Sequence, residues 1–175
     1  SEGYDQFPEG DYSIEAEITD EAGNITTAEG NLKVDLTKPE IELNDDNIVT
    51  NNQTPTIEGT SNQPEGRDVK VVITDGDGNE VFSGKTETNT DGSWSIDVDE
   101  EIAEGDYTVK ATTEDEAGNS AETTGDLEVD ITPPTLTVDN QETNDSTPTI
   151  TGTTDEPAGS KVDVIVKDDE GNPIF

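Results

Sequence analysis

Val69, Val71 and Ile73 stand two residues apart, with Lys70, Val72 and Thr74 between and after them. The same spacing recurs at Trp94, Ile96 and Val98, at Tyr107, Val109 and Ala111, and at Leu127, Val129 and Ile131. In an extended chain successive side chains point to opposite faces, so a period of two marks strands with one buried face. Turn residues separate the runs: Gln63-Pro64-Glu65-Gly66, Gly78-Asn79, Asp91-Gly92 and Gly118-Asn119. The pattern predicts seven strands, near 41–44, 54–61, 68–74, 80–87, 93–98, 105–114 and 120–131. No helical stripe competes with them.

The pattern also repeats along the chain. EGDYSIEAEITDEAGN at 9–24 returns as EGDYTVKATTEDEAGN at 104–119, and VDLTKPEIEL at 34–43 returns as VDITPPTLTV at 129–138, each 95 residues on. TPTIEGT at 54–60 returns as TPTITGT at 147–153, and VKVVITDGDGNEVF at 69–82 returns as VDVIVKDDEGNPIF at 162–175, each 93 residues on. The two-residue difference predicts a loop between Leu43 and Thr54. In this register 39–132 is one complete repeat. Residues 1–38 are the C-terminal half of a preceding repeat, and 133–175 are the N-terminal half of a following one. Seven short antiparallel strands in about 95 residues predict an immunoglobulin-like sandwich, so the expected fold class is all-β, with tandem Ig-like repeats in an extended array. Tyr107, after a Gly-Asp corner at the start of the sixth strand, has the position of a tyrosine corner, and Tyr12 repeats it. Trp94, the one tryptophan, is expected to anchor the core.

Composition at first opposes this reading. Hydrophobic residues make up 26% of the 175, and 44 acidic against 8 basic residues give a net charge of -36. Such a balance is typical of disordered chains. A disordered chain, however, has no reason to keep alternation in register with repeated turns. The charge excludes nucleic acid as a partner, because that affinity comes from Lys and Arg on phosphates. No apolar run is long enough to span a bilayer, and no signal peptide is visible at Ser1, so direct membrane insertion is not expected and the sequence reads as an internal piece of something longer. With no cysteine there is no disulfide framework, and with neither Cys nor His the usual nucleophilic triads cannot be built. No Gly-rich phosphate loop is present, and no carboxylate pair stands out among so many. An enzyme is not expected.

The motifs TPTIEGT, DGSWSIDV, EGDYTVKATTEDEAGN and VDITPP resemble the bacterial Ig-like repeats of giant type I-secreted RTX and biofilm-associated adhesins. The resemblance runs through the whole chain, although this chain is far more acidic than the better-known members. It implies an extracellular, cell-surface location and a role in projecting a distal ligand-binding region. It further implies calcium at domain junctions and neighbouring repeats of the same chain as partners.

Calcium takes six to eight oxygens from carboxylates, Asn side chains and carbonyls, and the inter-repeat seams offer all three. At the seam between 1–38 and 39–132 the expected ligands are Asp11, Asp35, Asp115, Glu116 and Asn119. At the outer end of the first half-repeat they are Asp20, Glu21 and Asn24, and at the following seam Asp106 and Asp130. The plainer reading of each DEAGN stretch is a turn, with Gly23 and Gly118 at positive φ and the Asp or Asn capping backbone groups. Asp75-Gly76-Asp77-Gly78-Asn79 opens like an EF-hand loop but has Glu80 where Gly is needed, so a Gly-Asn hairpin turn is expected there. Asp45-Asp46-Asn47 reads as a solvated acidic loop.

The function these observations favour is a structural spacer in a large surface adhesin or extracellular filament, stiffened by Ca2+ and supporting adhesion and biofilm formation. Two alternatives stand beside it. One is a binding module holding glycan or protein through its loops, which are short and poor in aromatics. The other is a head-to-tail fibre joining other copies in a filament or biofilm matrix, since 133–175 and 1–38 are complementary halves. The missing counterpart of 83–95, with its tryptophan, weakens that fit.

Overall fold

The structure, a computed structural model, describes residues 6–174. It divides into two compact units, one ending at Ile131 and one beginning at Thr132.

The first unit opens with a long hairpin, β1 (Gly10–Thr19) and β2 (Ile25–Val34), paired antiparallel over their full length. Eight strands follow: β3 (Ile41–Leu43), β4 (Asn47–Thr50), β5 (Thr56–Ser61), β6 (Asp68–Asp75), β7 (Glu80–Glu87), β8 (Ser93–Asp97), β9 (Gly105–Glu114) and β10 (Ser120–Val129). They form a three-stranded sheet in the order β3-β5-β8 and a five-stranded sheet in the order β4-β10-β9-β6-β7. The alternation sets the inner faces. Ile57 in the smaller sheet and Val69, Val71, Ile73, Val109 and Ala111 in the larger are completely buried, Leu127 and Val129 of the larger sheet are nearly so, and Trp94 of the smaller sheet shares their core. Full burial of each such aliphatic side chain stabilises by about 1.5–3 kcal/mol before entropy is set against it. Buried polar groups find partners. Thr88 Oγ1 donates to Pro64 O at 2.5 Å and accepts from Arg67 N at 3.0 Å, and Thr113 Oγ1 donates to Asp68 O at 2.9 Å. The indole N–H of Trp94 is buried without a partner.

One expectation fails here. The stretch between Leu43 and Thr54 is not simply a loop. Chain leaving β3 crosses to the other sheet and forms β4, parallel to the end of β10 with Asn47 opposite Asp126 and Thr50 opposite Val129. Asp126 N donates to Asp46 O at 2.8 Å and Asp130 N to Thr50 O at 2.9 Å, which closes the sheet edge. Asp45-Asp46-Asn47 is thus the crossing between sheets. Gly125 permits it, because a Cβ there would lie 2.8 Å from Leu43 Cδ1 and 3.0 Å from the Asp46 backbone. The strands of the sandwich are therefore eight and one pairing is parallel, not seven all antiparallel. Four residues with a single half-buried isoleucine give too short a signal for periodicity to register.

The tyrosine corner forms twice. Tyr107 Oη donates to Ala103 O at 3.0 Å, and Tyr12 Oη donates to Pro8 O at 2.7 Å. Phe7 adds an edge-on ring contact to Tyr12, with centroids 5.1 Å apart.

Among the described residues the second unit holds β11 (Leu136–Val138) and β12 (Gly152–Thr154), paired antiparallel, and an isolated bridge between Lys167 and Pro173. These match β3, β5 and the β6–β7 turn in sequence. Val162 and Val164, counterparts of the buried Val69 and Val71, are 49% and 44% exposed. Phe175, the counterpart of Phe82, lies outside the described residues.

Candidate functional site

Four five-residue loops of the form Asp-x-x-Gly-Asn share one geometry: 20–24, 75–79, 115–119 and 168–172. In each, the Asp amide donates to the Asn carbonyl at 2.9–3.0 Å and the Gly amide donates back to the Asp carbonyl. The glycines have φ of +84° to +93°, a region open to them because they lack a Cβ. The Asp carboxylate closes the loop from inside. Asp115 Oδ1 accepts from Ala117 N at 2.9 Å and Asn119 N at 2.8 Å, while Oδ2 accepts from Asn119 Nδ2 at 2.9 Å. Asp20 binds Ala22, Asn24 N and Asn24 Nδ2 in the same way. These donors favour the ionised form. The Asn119 side chain holds the Asp115 carboxyl below its ordinary pKa, and the Asn24 side chain does so for Asp20. The turn reading of DEAGN and of 75–79 is therefore correct as geometry: each loop satisfies itself.

The loop at 115–119 does one thing more. Asn119 Nδ2 also donates to the carbonyl oxygen of Asp35 at 2.9 Å, tying the β9–β10 turn to the segment that leaves β2. Nearby, Thr37 Oγ1 donates to Glu9 at 3.0 Å and Thr37 N to Asp35 Oδ1 at 3.1 Å. Lys33 Nζ lies 3.4 Å from Asp35 Oδ2.

Of the residues expected at this seam, Asp35, Asp115 and Asn119 do meet. Glu116 turns aside to Arg67, at 3.5 Å. Asp11 sits on β1 opposite Lys33, and its neighbour Glu9 takes the contact with the linker. Asp20 and Asn24 meet within their own loop, and Glu21 is an exposed position of that turn. Asp106 faces Glu128 across β9 and β10, and Asp130 follows β10 with its amide on Thr50. Among the described residues no group of three or more acidic side chains is gathered closely enough to hold a metal ion. Sequence reasoning missed the Arg67 partner of Glu116, because nothing in spacing links residues 49 positions apart on different turns.

Two sheets joined across one apolar core, with a first strand divided between them and a tyrosine corner at the sixth expected strand, define an immunoglobulin-like β-sandwich. The chain belongs to the bacterial Ig-like domain family, whose model matches residues 42–131, more than half of the chain. A second family model, Bacterial Ig-like domain (group 3), matches residues 3–75. Among solved structures, the chain is similar to a tetra-tandem repeat in the extending region of a large adhesion protein. The two are 28% identical over 94% of this chain and 44% of that one, with a TM-score of 0.49. The chain thus spans under half the length of that structure. It is also similar to CopC from Methylosinus trichosporium OB3b (19% identity, 52% and 94% covered, TM-score 0.42). A third similar structure is that of a 1.5-MDa bacterial ice-binding adhesin (20% identity, 69% and 42% covered, TM-score 0.32). No curated protein matches the chain.

Proposed function

We propose that this chain is a non-catalytic spacer segment of a large bacterial cell-surface adhesin or extracellular filament, made of Ig-like repeats bounded at 38/39 and 132/133. The observation that carries this reading is the sameness of the repeated parts. Tyr12 and Tyr107 make the same corner bond, and the turns at 20–24 and 115–119 carry the same set of hydrogen bonds. A spacer needs like units that meet only their neighbours. A ligand-binding repeat would differ from its neighbour at a loop, and these loops direct their polar atoms inward. Among the described residues no helix is long and apolar enough to cross a membrane. The similar 28%-identical structure comes from the extending region of a large adhesion protein, a role of the same kind.

Calcium stiffening, and through it support of adhesion and biofilm, is part of the proposal. Asn119 Nδ2 stands between two oxygens, Asp35 O and Asp115 Oδ2, each at 2.9 Å. Rotating that amide would offer its oxygen in place of its nitrogen, leaving three oxygens of the kinds calcium prefers. The remaining ligands would be water and the carboxylate of Asp35. Small-angle scattering of a multi-repeat protein in calcium and then in EGTA tests both parts. A long, extended particle is expected in both buffers, with a larger maximum dimension and less flexibility in calcium. A compact particle would overturn the spacer. An extended one indifferent to calcium would remove the ion alone.

A further inference from the structure

Asp-Gly occurs three times in the chain, at 75–76, 77–78 and 91–92, and Asn-Gly not at all. An aspartyl residue before glycine can react with its own main chain, because the glycine has no side chain to block its amide nitrogen. That nitrogen attacks the neutral side-chain carboxyl carbon. A C–N bond forms and a C–O bond breaks, and the carboxyl's hydroxyl leaves with the amide proton as water. Water then adds to either carbonyl of the five-membered imide. One opening restores aspartate; the other leaves isoaspartate, in which the main chain runs through the side-chain carbon. Ring closure needs a carboxyl free to turn and a peptide with room to rotate.

The three sites meet these needs unequally. The Asp75 carboxylate is tied inside its own turn. Oδ1 accepts from Asp77 N at 3.0 Å and Asn79 N at 2.8 Å, and Oδ2 accepts from Asn79 Nδ2 at 2.9 Å. These bonds favour its ionised, unreactive form. Asp91 Oδ1 accepts from Ser93 N at 3.0 Å and from Ser93 Oγ at 2.6 Å. Its peptide is clamped as well. Gly92 N donates to Asn89 O at 3.0 Å, Ser61 N donates to Gly92 O at 2.8 Å, and a Cβ on Gly92 would lie 2.5 Å from Ser61 O. Asp77 differs on both counts. It is exposed, and among the described residues no hydrogen bond or ion pair reaches its carboxyl. A Cβ on Gly78 would meet nothing within 4 Å. The one restraint is the bond from Gly78 N to Asp75 O at 2.9 Å, which lies in an exposed turn and opens without disturbing the core.

We propose that Asp77 is a site of spontaneous isomerisation to isoaspartate in the folded protein, and that Asp75 and Asp91 are protected from the same reaction by the turns that hold them. The added main-chain carbon breaks the five-residue closure between Asp75 N and Asn79 O, so the β6–β7 turn ages while the sandwich beneath it stays intact. The turns at 20–24 and 115–119 escape, because Ala22 and Ala117 stand where Asp77 stands here.

Peptide mapping tests the proposal. The whole chain is incubated for several weeks at about pH 5, where an ordinary carboxyl is still partly neutral, with Trp94 emission verifying the fold. Cleavage after lysine then gives 71–85, which carries Asp75 and Asp77, and 86–110, which carries Asp91. Electron-transfer fragmentation places each isoaspartate. Isoaspartate at 77 is expected to exceed that at 75 and at 91 by about tenfold, the rate equivalent of one retained hydrogen bond to a charged group. In urea, which removes the turns, the three sites should converge. Asn79→Ala should raise isoaspartate at 75 and leave 91 unchanged. Equal amounts at the three sites of the folded chain would overturn the proposal. So would a folded chain in which 77 is as inert as 91, or an Asn79→Ala variant whose Asp75 is no more reactive than the parent's.

Discussion

The indole of Trp94 packs directly against the Cα of Gly59, its cross-strand partner between β8 and β5. A methyl group on Gly59 would overlap Trp94 Cζ2 and the carbonyl oxygen of Glu42, which belongs to neighbouring β3. Gly59→Ala is therefore expected to destabilise the sandwich by about 3 kcal/mol or more, since neither the buried ring nor a paired backbone can give way. Urea unfolding followed by Trp94 fluorescence measures this, and a change below 1 kcal/mol would mean that the two sheets are loosely packed there.

Tyr107 and Tyr12 make the same hydrogen bond in different settings. Tyr107 is half-buried against the core, and its loss of a hydroxyl in Tyr107→Phe is expected to cost about 1 kcal/mol in the transition that Trp94 reports. Tyr12→Phe removes an equal bond from the hairpin outside that core and is expected to leave the Trp94 transition unchanged. Parallel urea curves for the two variants distinguish a corner coupled to the core from a local one.

Gly118 has φ of +93°, and Gly76, in a loop of the same geometry, has open space around it and no positive φ. Gly118→Ala is expected to lower stability by about 1 kcal/mol through backbone strain alone. Gly76→Ala should change it by less than about 0.5 kcal/mol. Thermal unfolding of both variants, read by circular dichroism, checks the pair.

The pH dependence follows from the loop carboxylates. The Asp75 and Asp115 carboxyls are held below their ordinary values chiefly by the Asn79 and Asn119 side chains, and Asp91 by Ser93. A depressed folded-state pKa gives stability that is present above the unfolded value, near 4, and lost as pH falls through the folded value. Net charge acts in the other direction, because -36 repels itself at neutral pH and shrinks as acid is added. The urea midpoint is expected to rise as pH falls from 7 towards about 4.5 and to drop below about 4. A midpoint still rising at pH 3 would show that the loop bonds contribute little. Screening tests the other half: adding salt at pH 7 should raise the midpoint too.

Much of this fold can be read from spacing because strand burial is a local, two-residue rhythm. Val69, Val71 and Ile73 announce their face without reference to any partner, and all three are completely buried. Trp94 as a core anchor, Tyr107 and Tyr12 as corners, and the Gly-Asn turns are equally local, each set by a residue type with one strong conformational use. The repeat itself is a matter of comparing letters. Tertiary structure decided what depends on residues far apart. The passage of chain from β3 to a parallel β4 rests on Gly125, some eighty residues away, leaving room for Leu43 and Asp46. The seam rests on Asn119 reaching the carbonyl of Asp35, and Glu116 is drawn to Arg67 instead of joining them. A carboxylate-rich sequence offers oxygens everywhere. Which of them converge is fixed by hydrogen-bond donors on other strands, whose positions no local pattern encodes.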